Sequence, residues 1–169
     1  DWLEESVTMS SLINITNNLN DGINVVTASG IGAFNNPYVK VSGEGILVAI
    51  IDSGIDYLNE DFINEDGTSK IVSMWNQDCN ISEPPEGFIF GSEISRDEIN
   101  ELGTGTIAAG IICSGGRVNN NYRGIAPNVE LVVVKLRQYE DTYTKGKINY
   151  ESTDFFAAIA YVISVSKEL

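Results

Sequence analysis

The sequence predicts an α/β domain with a mostly parallel sheet and helices on both faces. A dense apolar run, Ile46 to Ile51, shows no period-2 alternation and stops at Asp52-Ser53-Gly54, the pattern of a strand buried on both faces. Val129 to Lys135, some eighty residues on, is a further β-branched strand. Helical segments lie between and after these runs, and strands alternating with helices imply parallel pairing with helices packed on the sheet.

Taken in order, residues 1–45 are polar and rich in Asn, Gly and Ser. They read as an N-terminal arm with a short helix near Ser10 to Leu19 and a turn at Asn35-Asn36-Pro37. Residues 46–169 form the globular part, released by Gly43-Glu44-Gly45. Lys70 to Trp75 is a further strand, followed by a proline-bearing loop at 82–87. Thr104 to Ile112 is rich in small and apolar residues, which suits a helix pressed closely onto a sheet. Turn chemistry at Asn119-Asn120-Asn121 and Gly124 leads into the Val129 strand. The last helix opens at a Ser152-Thr153-Asp154 cap and carries an apolar stripe of Phe155, Ile159, Val162, Ile163 and Val165.

Composition narrows the function. With 24 acidic against 10 basic residues the chain carries a formal charge of -14, which disfavours contact with a phosphate backbone, so no nucleic-acid partner is expected. The acidic residues are scattered, as on a solvated, self-repelling surface. Cys79 and Cys113 belong to no CxxC or Cys/His cluster; Cys113, inside Ile111-Ile112-Cys113, is expected to be a small buried hydrophobe. Asp56, Glu60, Asp61 and Asp66 could suggest a calcium site, but they form no regular EF-hand loop and read rather as solvated loop carboxylates, so no metal or cofactor is expected. The opening Asp1-Trp2-Leu3-Glu4-Glu5 is acidic, unlike a signal peptide, and no run approaches the roughly 18 apolar residues of a membrane span. A soluble chain is the expectation. The sequence holds no histidine, which removes the commonest general base and the commonest zinc ligand.

In open α/β sheets, functional groups collect at the carboxyl ends of strands. Asp52 stands at such an end. By itself, Asp-Ser-Gly after a strand fits a turn-forming aspartate as well as a catalytic one.

Three segments together say more. Val48-Ala49-Ile50-Ile51-Asp52-Ser53-Gly54-Ile55 resembles the segment that carries the catalytic aspartate of subtilisin-like serine proteases. Gly103-Thr104-Gly105-Thr106-Ile107-Ala108-Ala109-Gly110-Ile111 is similar to that family's G-H-G-T-x-V-A-G-I, which opens the helix bearing the catalytic histidine. Gly124-Ile125-Ala126-Pro127 and the following Val129 to Lys135 resemble its G-V-A-P segment and the strand after it. Finer features are similar to the clostridial spore-germination Csp subtilases: Asn36-Pro37-Tyr38, Trp75-Asn76-Gln77-Asp78, Phe88-Ile89-Phe90-Gly91-Ser92-Glu93 with Asp97-Glu98-Ile99-Asn100, and Lys135-Leu136-Arg137. Threonine at the histidine position resembles the CspC-type pseudoproteases of that group.

The resemblance implies a subtilisin-like fold of which the chain holds the N-terminal part, with Asp52 as the retained triad aspartate and Thr104 at the degenerate histidine position. The nucleophilic serine segment is absent from the chain. The implied function is that of a catalytically inactive regulator in spore germination. Its implied partners are other Csp subtilases and cortex-hydrolase pathway proteins, and its implied location is the bacterial spore. The alternative is a segment of an active subtilisin-like endopeptidase that processes a spore cortex hydrolase. Relatives in the group carry a longer stretch before the glycine of the histidine segment, so the junction near Glu101-Leu102-Gly103 is expected to vary in length. Asp52 and Thr104 are expected to face one another across the remnant site.

Overall fold

Residues 42–95, 107–119, 123–140 and 148–169 are described by the computed structural model. Most of the N-terminal arm, the junction at 101–103 and the position of Thr104 lie outside them. The expected strands form at Leu47–Asp52 (β1), Ile71–Asn76 (β2) and Glu130–Lys135 (β4), and a strand at Ser92–Ser95 (β3) joins them. They make one four-stranded sheet in the order β1-β4-β2-β3. β4 pairs in parallel with β1, from Leu47 opposite Glu130 to Asp52 opposite Lys135, and in parallel with β2 on its other side. β3 runs antiparallel to β2.

Helices Ile107–Cys113 (α1) and Ser152–Glu168 (α2) cover opposite faces. Alternation along β4 explains how. Leu131 and Val133 point to one side, where they pack with Ile50, Ile71, Met74, Ala109 and Cys113. Val132 and Val134 point to the other, against Trp75, Ala158, Tyr161 and Val165. All four β4 side chains are fully buried, and each such aliphatic group contributes about 1.5–3 kcal/mol by leaving water.

Two expectations are corrected. The Ile46 to Ile51 run is not buried on both faces. Of it only Ile50 is buried, Ala49 is exposed, and Ile46 keeps 56 % of its surface. The reason is position: β1 ends the described sheet, whereas β4, at its centre, is the strand shielded on all sides. The cap of α2 is also displaced. Glu151 precedes the helix without a side-chain cap bond, Ser152 is already helical, and Asp154 turns inward. The helix buries Asp154, Ala158, Tyr161 and Val165, which leaves Phe155, Ile159 and Ile163 of the predicted stripe exposed. A small alanine lets the helix approach the sheet, and its polar neighbours find partners there. A hairpin of Tyr139–Glu140 (β5) and Ile148–Asn149 (β6) escapes sequence analysis because two-residue strands carry no periodicity.

Candidate functional site

The carboxyl edge of the parallel strands gathers the chemistry. β1 ends at Asp52, and the ladder runs one step further, with the Leu136 amide donating to the Asp52 carbonyl at 2.8 Å. The half-buried Asp52 carboxylate accepts the Ser53 amide through Oδ1 at 2.6 Å, as the turn reading expects. Tyr150, just past β6, feels this group: burial raises the pKa of its phenol, and the charge of Asp52 raises it further. Thr104 lies outside the described residues, as do Gly103 and Gly105, so its placement opposite Asp52 stays an expectation. α1 begins at Ile107, three residues past it in sequence.

Beside Asp52 lies a second group that sequence reasoning did not assemble. The Gln77 amide donates to the Lys135 carbonyl at 3.0 Å, which extends the β2–β4 pairing past its formal end. Lys135 Nζ reaches Asp78 Oδ2 at 3.4 Å. Arg137 lays its guanidinium over the Phe90 ring at 4.3 Å, donates through Nε to the Gln77 carbonyl at 3.3 Å and through Nη1 to the Tyr139 hydroxyl at 3.3 Å. That hydroxyl in turn donates to Asp154 Oδ2 at 3.0 Å, while Gln77 Nε2 donates to the Asp154 carbonyl at 3.0 Å. Phe88, Phe90 and Tyr161 pack around Trp75 with ring centroids 4.6, 5.1 and 5.4 Å away. Trp75 to Asp78, Phe88 to Glu93 and Lys135 to Arg137 each stand out in the sequence; their meeting in space was the missing signal.

Two of the other acidic candidates, Asp61 and Asp66, are spent on loop structure. Asp61 Oδ1 accepts the amides of Arg117 at 2.6 Å and Val118 at 3.2 Å, and Asp66 Oδ1 accepts the Thr68 amide and hydroxyl. Among the described residues no three ligating side chains come together as a metal site. Cys113 is fully buried, and desolvation pushes its thiol up to about 11. Cys79 is half-buried, and both thiols are free. No helix among the described residues is long and apolar enough to cross a membrane.

This geometry can be set against known proteins. The model of the subtilase family matches residues 43–166. The solved structure of the Clostridium perfringens CspB protease superposes with a TM-score of 0.62 at 25 % sequence identity, over 82 % of this chain and 29 % of that one. The chain thus spans under a third of that relative's length. A search of the curated proteins found no match. Parallel β1 and β4, a helix on each face, Asp52 at the strand end and a family match over most of the sequence lead to one conclusion: the chain belongs to the subtilase family.

Proposed function

We propose that this chain is part of a catalytically inactive subtilase that acts as a binding regulator. The observation that carries the reading is the complete lack of histidine, with Thr104 standing where the family pattern has its catalytic imidazole. In the Ser-His-Asp mechanism the imidazole takes the proton from the serine hydroxyl and returns it to the leaving amine. A threonine hydroxyl is not a base near neutral pH, and removal of the histidine alone from subtilisin lowers turnover by about 10⁶. An aspartate at this position orients and stabilises an imidazolium. Without one, Asp52 keeps a structural use, and its bond to the Ser53 amide supports that use.

Likeness to the Csp group points to a sister Csp subtilase and the cortex-hydrolase pathway as partners, and to the spore as the place of action. The test is activity-based labelling of the full-length protein with a fluorophosphonate probe beside an active subtilase. No covalent adduct is expected. A serine adduct formed at a rate comparable to the active enzyme would overturn the reading in favour of a working peptidase.

A further inference from the structure

Three of the segments that resemble the Csp group, Trp75 to Asp78, Phe88 to Glu93 and Lys135 to Arg137, converge on one side chain. Arg137 rests on Phe90 at 4.3 Å and is held by the Gln77 carbonyl and the Tyr139 hydroxyl, each at 3.3 Å. Every one of these supports is neutral. The other basic residue at the end of β4, Lys135, is matched by Asp78 at 3.4 Å, whereas no described carboxylate pairs with Arg137. Asp154 reaches it only through Tyr139 and is itself buried, at 6 % exposure. In a chain with 24 acidic and 10 basic residues, a half-buried guanidinium braced on three sides, with no acid of its own among the described residues, fits an external one.

The donor count says what it fits. A guanidinium has five N–H groups. The Nε hydrogen goes to Gln77 and one Nη1 hydrogen to Tyr139, so three remain on Nη1 and Nη2. Two parallel N–H groups are what a carboxylate takes in a bidentate pair, and a guanidinium already fixed in place loses less rotamer freedom on forming it. The group sits at the carboxyl edge of the sheet, two residues beyond the position paired with Asp52, where α/β folds place their ligand contacts.

We infer that Arg137 is a carboxylate-recognition site for a glutamate or aspartate side chain of a protein segment lying along this edge. The site is independent of the catalytic question, since it uses neither Asp52 nor Thr104. The experiment measures fluorescence polarisation of the full-length protein with two labelled pentapeptides, Ala-Ala-Glu-Ala-Ala and Ala-Ala-Gln-Ala-Ala, both capped. The glutamate peptide is expected to bind at least about tenfold tighter at low salt, each tenfold corresponding to 1.4 kcal/mol. Arg137→Met should abolish the preference. Arg137→Lys, which keeps the charge but not the fork, should reduce it several-fold, and Lys135→Met should leave it in place. Tyr139→Phe, which frees Nη1 without removing charge, should weaken it. Equal binding of the two peptides, binding of neither, or a preference that survives Arg137→Met would overturn the inference.

Discussion

Lys70 shows how one buried charge can organise three segments. It is 3 % exposed, and its ammonium donates to the Cys113 carbonyl at 2.8 Å and the Pro127 carbonyl at 2.5 Å. It thereby ties the start of β2 to the end of α1 and to the turn before β4. Burial lowers its pKa from 10.5, and a neutral amine still has two hydrogens for the two carbonyls. The folded state therefore holds its proton less tightly than the unfolded chain. This residue's contribution to stability rises as pH climbs through the window between its lowered value and 10.5. Lys70→Met should lower the thermal midpoint of the full-length protein, by the equivalent of about 2 kcal/mol for stranded carbonyls. The gap to the parent should widen between pH 7 and pH 10 in calorimetry. Cys113 gives a second test at this scale. Its thiol, held up to about 11 by burial, should react with iodoacetamide at pH 8 at least tenfold more slowly than Cys79, read by mass spectrometry of the two peptides.

At the scale of elements, α2 is keyed to the sheet by a polar contact at its middle. The Tyr161 hydroxyl lies 2.6 Å from Ser73 Oγ on β2 and donates to Glu93 Oε1 on β3 at 2.9 Å. Desolvation raises the phenol's pKa and keeps it a donor. Tyr161→Phe leaves the half-buried carboxylate, among the described residues, with Ser73 at 3.3 Å, and should destabilise the domain by about 2 kcal/mol, measured by denaturant unfolding. The Phe88–Phe90 arch depends on backbone rather than side chain. Gly91 has φ +76°, and a Cβ there would meet the Trp75 ring nitrogen and the Asn76 carbonyl at 2.8 Å. Gly45 has nearly the same φ, +77°, but open space around it. Gly45→Ala should therefore cost only the left-handed strain, about 1–2 kcal/mol. Gly91→Ala should cost that and about 1–3 kcal/mol more from overpacking, and it should red-shift Trp75 emission as the arch lifts.

Across the whole molecule, burial is uneven. β1 has a pairing partner on one side only among the described strands, and Ile46, Phe155, Phe156, Ile159 and Ile163 lie exposed. An unpaired parallel edge and an apolar helix face are the features that drive association and dye binding. Produced alone, the 169-residue chain should bind 8-anilinonaphthalene-1-sulfonate strongly and unfold over a broad thermal range. A sharp, concentration-independent transition with little dye binding would refute this.

Local pattern alone determined the three parallel strands to within a residue or two, the helices after them and the family, because apolar runs and glycine-bearing turns write themselves into contiguous residues. It also singled out Asp52 and the missing imidazole, which are matters of residue identity. Tertiary structure decided what depends on neighbours far along the chain. It made β4, not β1, the doubly buried strand, because burial follows the order of strands in the sheet rather than their composition. It turned α2 so that Asp154, Ala158 and Tyr161 face inward while phenylalanines face out, because Tyr161 finds Ser73 and Glu93 only across 88 and 68 residues of sequence. And it brought Gln77, Phe90 and Arg137 together, since a guanidinium's supports are chosen by distance in space, which no periodicity records.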